Sequence, residues 1–251
     1  MPAKKQQVKQ QVKKRKSNRN GERQGKYNMQ EQVTIKELYT LEETLAKPLL
    51  ESLTYPWEAL PGIGDFIKEL GKTLPTDIYE EREENVWIAK SAKIYPNNYI
   101  TGPCIIGERT EVRPGAFIRG NALVGNDCVV GNSTELKNVI LFNHVQVPHY
   151  NYVGDSVLGF YSHMGAGSIT SNVKADKTIV HVKGEDFNLD TGLKKFGAML
   201  GDHVEIGCNS VLNPGSVICR DSNVYPVSMV RGVVPPHSIY KDKDKIEPKQ
   251  K

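Results

Sequence analysis

Cysteine is scarce in this sequence: four residues, Cys104, Cys128, Cys208 and Cys219, with no CxxC pair among them. That excludes a dense disulfide framework and a paired-cysteine redox motif, and fits a reducing cytoplasm. Long apolar runs are missing too. No stretch approaches ~18 consecutive apolar residues, and no apolar core follows the basic N-terminus, so neither a membrane span nor a secretory signal is expected. With 38% hydrophobic and 25% charged residues, the 251-residue chain reads as one globular domain with an appendage.

Acid is what the first 28 residues lack. They hold ten Lys/Arg against Glu22 alone, a net +9, whereas the other 223 residues carry 23 Lys/Arg against 28 Asp/Glu, a net −5. Almost nothing apolar lies among these cations, so residues 1–28 read as a disordered, solvated tail, with Met29 as the natural start. Clustered Lys/Arg would also give a weak nucleic-acid contact by counterion release. No aromatic residues are interleaved for base stacking, which makes this the second reading.

Residues 29–82 read as a helical cap or linker. Leu38, Leu41, Leu45, Leu49 and Leu50 recur at three- and four-residue spacing. Ile63, Phe66, Ile67 and Leu70 follow the Pro61-Gly62 break, with Gly71 as the expected helix cap.

From Ile88 an aliphatic residue occupies every sixth position: Ile88, Ile94, Ile100, Ile106, Val112, Ile118, Val124, Val130 and Leu136. Four residues after each stands a mostly small side chain, Cys104 and Cys128 among them. After a slip of one residue the pattern continues through Leu141, Val147 and Val153, and after another through Leu158 and Met164. It breaks at about 171–199 and resumes at Leu200, Ile206, Leu212, Ile218 and Val224. Period six matches neither helix nor alternating strand; it predicts a parallel β-helix whose triangular coils take three six-residue units each. About five coils are expected over 83–230, with polar side faces, a hairpin extruded at about 171–199, and a C-terminal tail at 231–251.

The run RPGAFIRGNALVGN…ELKN…VPHYNYVGDS…GAGSITSN resembles the C-terminal acetyltransferase domain of the bifunctional glucosamine-1-phosphate acetyltransferase/N-acetylglucosamine-1-phosphate uridyltransferases, most closely the archaeal-type sugar-1-phosphate nucleotidylyltransferases. The similarity covers about 85–228, without the nucleotidyltransferase domain and its Gly-rich loop. It implies an all-β, left-handed parallel β-helix that forms a homotrimer, with acetyl-CoA as co-substrate and an amino-sugar phosphate as acceptor. His149 falls on the catalytic base, and Asn172, taken with it as catalytic, falls on a family asparagine that contacts the sugar. Arg113, Lys137 and Tyr152 fall on the phosphate-binding residues, and Lys177 on a further substrate lysine. His163 stands where the family has a second acceptor-binding asparagine. The coenzyme would pass Gly165, Ala166, Gly167 and Cys208, with backbone N–H groups of 165–167 facing the thioester oxygen. Asp155 reads as a turn cap.

Two other functions fit a hexapeptide helix. A trimeric zinc hydratase of the gamma carbonic anhydrase type, built from three histidines across a subunit boundary, would use His144, His149 and His163. It is the weaker reading, because no third His sits well upstream and Arg113 and Lys137 would repel the metal, so no metal site is assigned. A non-catalytic trimeric scaffold is the other alternative.

Overall fold

Inward aliphatics, stacked rung on rung, build the molecule. The computed structural model describes residues 29–250, so the reading of 1–28 lies outside the described residues. Its chain winds as the expected left-handed parallel β-helix with a small N-terminal helical segment. Three ladders of side chains fill the prism. Ile88, Ile106, Val124, Leu141, Leu158, Leu200, Ile218 and Val234 stack along one face. Ile94, Val112, Val130, Val147, Met164, Ile206, Val224 and Tyr240 stack along the next. Ile100, Ile118, Leu136, Val153, Thr170, Leu212 and Val230 form the third. Eight rungs on two faces exceed the about five coils expected.

The last rung on each of those two faces comes from residues 231–248, where strands replace the expected tail. Val233–Val234 pairs with Ser216–Ile218, and Ser238–Asp242 with Asn223–Val224. Here Val234 and Tyr240 follow their inward partners Ile218 and Val224 by 16 residues, a spacing that a six-step frame passes over. At both rims the outermost strand doubles back antiparallel, Tyr79–Glu83 on Val86–Ala89 and Lys245–Pro248 on Ser238–Asp242.

The faces differ on the outside, and not all are polar. On the first, the outward residues Trp87, Ile105, Leu123, Ile140, Val157, Met199 and Val217 are all buried. Residues 29–78 cover them as a strap of short helices (α1 Ile35–Leu38, α2 Lys47–Leu50, α3 Ile63–Gly71) and 3-10 turns. This is the strapped face. The strap runs along the column instead of plugging one end. The leucines from 38 to 50 do not share one helix, since Pro48 starts α2 afresh. Gly71 lies against the Trp87 ring, where a Cβ would collide; that contact, not capping, requires glycine there.

Polar anchors fix the strap. Asp202, 1% exposed, accepts from the backbone N–H groups of Thr40 (2.7 Å) and Phe160 (2.9 Å) and lies 3.1 Å from Arg220 Nη2. Burial raises its carboxyl above the usual aspartate range, an effect opposed by the Thr40 hydrogen bonds and Arg220. The Tyr39 hydroxyl reaches the Val157 carbonyl at 3.4 Å.

The second face carries Gly131, Gly165 and Gly207 and is called the glycine face; the third is the open face. Chain order sets three corners: the His149 corner from glycine to open face, the hairpin corner from open to strapped face, and the His144 corner back again. Coils are 18 residues long except the two shortened to 17, the one that carries the insertion, and the last, shortened to 16; the two 17-residue coils are shortened at the hairpin corner. There Leu136 to Leu141 and Val153 to Leu158 take five residues instead of six. Asn138 (φ 55°) and Asp155 (φ 48°) make these tightened turns in the left-handed region, which Asn and Asp tolerate better than most residues. Burial pushes the Cys104 and Cys128 thiols up to about 12.

Candidate active site

Two corners and the open face between them hold the candidate residues. Strands Glu135–Leu141 and Tyr152–Leu158 pair in parallel, with Glu135 opposite Tyr152 and Lys137 opposite Gly154. Side chains alternate in a strand. Leu136 and Val153 therefore fill the core, while Lys137 and Tyr152 project from the open face. Lys137 is half-buried and has no hydrogen-bond or ion-pair partner among the described residues.

At the hairpin corner a network joins three coils. Asn172 Nδ2 donates to the Tyr152 hydroxyl (3.2 Å) and to Asp155 Oδ2 (2.5 Å). Asn138 Nδ2 donates to Asp155 Oδ1 (2.9 Å) and to the Leu60 carbonyl of the strap (3.2 Å). Asp155 is 4% exposed and holds both asparagines, so it does more than cap its own turn. Burial, then the nearby Asp155 and Glu135 carboxylates, raise the Tyr152 hydroxyl above the ordinary phenol range. It stays a neutral donor. Asp155 is the residue sequence reasoning undervalued. Its signal is arithmetic: positions 138, 155 and 172 stand 17 apart, the length of the shortened coils.

Asp155→Asn isolates this network, since asparagine tolerates the same backbone. One of the two asparagine donors should then face an amide N–H₂, lowering stability by about 1–3 kcal/mol. A urea midpoint unchanged from wild type, at equal m, would contradict the role.

His149 ends strand Gln146–His149 and is exposed, as is Lys177 in the inserted loop. The His149 backbone is held on both sides: its N–H donates to Asn151 Oδ1 (3.1 Å), and its carbonyl accepts from Gly167 N–H (3.0 Å). Asn151 in turn donates to the Gly165 (2.9 Å) and Ser168 (3.1 Å) carbonyls, which clamps rung to rung. Of the three amides expected to face a thioester, two are already engaged. Gly165 N–H bonds the Ile206 carbonyl and Gly167 N–H that of His149; only Ala166 N–H has no partner among the described residues. Next along the corner, Asn209 N–H bonds the Ala166 carbonyl, and Cys208 is exposed.

Arg113 begins the same corner two rungs before His149, its Nε 3.4 Å from Glu111. His163 does not join Tyr152 or Lys137 within the chain. It lies on the glycine face, with Nδ1 2.8 Å from Glu205. His144 stacks on Tyr161 at 4.5 Å at the third corner. His144, His149 and His163 therefore lie apart within one chain, and no three-residue metal cluster occurs among the described residues.

The family model for the GMPPB C-terminal domain matches residues 100–243. A bifunctional protein GlmU of Methanococcus maripaludis (strain C5) is 31% identical over 196 residues, 76% of this chain and 47% of the relative. A bifunctional sugar-1-phosphate nucleotidylyltransferase/acetyltransferase of Sulfurisphaera tokodaii is 32% identical over 145 residues, 58% and 36%. The chain thus spans about half or less of these curated relatives. Among solved structures, AntD, an N-acyltransferase from Bacillus cereus in complex with dTDP and 3-hydroxybutyryl-CoA, is 17% identical, with 68% of this chain and 87% of that chain covered and a TM-score of 0.38. By the match over more than half its length, the chain belongs to the GMPPB C-terminal domain family.

Proposed function

We propose that this chain is a cytoplasmic acyltransferase moving an acetyl group from acetyl-CoA to the amine of an amino-sugar phosphate such as glucosamine-1-phosphate. What carries the reading is the bond between the His149 carbonyl and Gly167 N–H. It sets the imidazole and the unpartnered Ala166 amide on neighbouring rungs of one corner, about 5 Å apart along the column.

In the proposed reaction the acceptor amine attacks the thioester carbonyl carbon, and the His149 imidazole takes the amine proton. Ala166 N–H donates to the oxyanion of the tetrahedral intermediate. The C–S bond then breaks, and the departing sulfur takes the proton back from the imidazolium. Lys137 and Arg113 supply charge for the sugar phosphate, Arg113 by turning from Glu111. Tyr152, Asn172 and Lys177 orient the sugar, and His163 borders the acceptor. The coenzyme arm runs past Gly165, Ala166, Gly167 and Cys208.

A homotrimer is part of the proposal. The outward row Tyr99, Phe117, Tyr152, Ile169, Val211 and Met229 on the open face is broken by one charge, Glu135; Tyr99 is 62% and Met229 57% exposed. Burying that row against a second copy is favourable, and would bring another chain's glycine face beside His149.

Release of free thiol from acetyl-CoA on addition of glucosamine-1-phosphate tests the activity. Thiol release no faster than without acceptor, across a panel of amino-sugar phosphates, would leave the scaffold alternative standing.

A further inference from the structure

A second cationic recess opens beyond Asn172. It encloses ≈ 650 Å³ between the inserted segment and the hairpin corner, and its lining includes Lys174, Lys183, Arg231, His181 and one carboxylate, Asp176. Lys174 is occupied by Asp176 (3.6 Å) and the Ile179 carbonyl (3.3 Å). Lys183 and Arg231 are exposed, with no hydrogen-bond or ion-pair partner among the described residues. His181 Nδ1 is enclosed and has no partner either. An anion held between Lys183 and Arg231 would offset the repulsion between these two unbalanced cations.

The recess is built by close packing. Strand His181–Lys183 pairs antiparallel with Asn188–Asp190, and buried Val180 and Val182 leave His181 and Lys183 on the other side. The hairpin backbone presses on two positive-φ glycines: a Cβ on Gly215 would stand 2.7 Å from the His181 carbonyl, and one on Gly232 2.5 Å from that of Lys183. Any larger residue would lift the hairpin away. The recess also continues an outward row of the open face. The parallel register carries Lys137 to Gly154, Ser171, Asn213 and Arg231, so Ser171 at its rim stands two rungs, about 10 Å, from Lys137.

We propose that this recess binds a diphosphate group, with Lys183 and Arg231 contributing charge and His181 a ring N–H donor. Two molecules could bring that chemistry, a nucleoside diphosphate attached to the amino sugar or the diphosphate of coenzyme A. Assignment to either rests on the acetyl-transfer reading; the binding itself does not.

Calorimetric titration of the full chain with inorganic pyrophosphate, UDP and coenzyme A, each at one ionic strength, tests this. Wild type and Lys183→Gln/Arg231→Gln share the basic residues 1–28, so their difference reports the recess. Pyrophosphate affinity should fall at least tenfold in the double variant, with the far-UV spectrum unchanged, since both side chains are exposed; His181→Asn should cause a smaller loss. A parallel loss for UDP alone assigns the acceptor, and for coenzyme A alone the coenzyme. Equal pyrophosphate affinity in wild type and variant, or no binding by wild type, overturns the inference. The titration needs no turnover. A protein that releases no thiol yet binds pyrophosphate through Lys183 and Arg231 keeps this site and loses the acetyl-transfer reading.

Discussion

His149→Ala should lower thiol release from acetyl-CoA with glucosamine-1-phosphate by about 10²- to 10⁴-fold, the range expected for losing a positioned general base. The substitution is clean because the fold uses only the backbone of this residue. Its N–H and carbonyl bond Asn151 and Gly167, and no hydrogen bond of the ring occurs among the described residues. The urea midpoint should therefore not move, and the loss should fall in kcat more than in KM. Lys137→Gln should do the reverse and raise KM for the sugar phosphate. Undiminished turnover by His149→Ala would remove the imidazole from the mechanism, whatever the fate of the acceptor assignment.

Asp202→Ala should destabilise the protein by about 3 kcal/mol. It would leave the Thr40 and Phe160 N–H groups and Arg220, whose side chain is 33% exposed, without their shared acceptor, and the strap would lose its polar anchor. The effect has a pH signature. Burial raises this carboxyl, so the native state binds its proton at a higher pH than the unfolded chain. The stability this contributes is fully present below the unfolded value and is lost as pH rises through the native one. The gap between wild type and variant should therefore widen on acidification through that window; a gap that narrows would show that ion pairing, not burial, dominates at Asp202.

The three inward ladders were legible because stacking fixes one aliphatic per six residues, whatever surrounds them. The apolar exterior of the strapped face was not, since a single-frame search reads each inward position and ignores its neighbour. The signal is there: Ile105-Ile106, Leu123-Val124, Ile140-Leu141, Val157-Leu158, Met199-Leu200 and Val217-Ile218 are aliphatic doublets once per coil. One member fills the prism and the other meets the strap. The slips at Leu141 and Leu158 were visible too. What they accomplish, turning Asn138 and Asp155 into a bracket that steadies Asn172 and Tyr152, depends on residues a full coil apart. The partners of Gly165 and Gly167 are likewise long-range, so a motif alone leaves all three amides available, and only the coil geometry singles out Ala166.

The doubled-back strands at the rims have a consequence for concentrated solutions. A parallel column that ended on a bare rung would offer unsatisfied peptide groups as a seed for another chain. Here Tyr79–Glu83 carries Glu80, Glu81 and Glu83, and Lys245–Pro248 ends on a proline that cannot donate. End-to-end growth therefore has no ready template on those two faces, and any end-to-end contact is left to the short strands Lys93–Ile94 and Tyr99–Thr101 at one rim and Met229–Val230 and Val233–Val234 at the other.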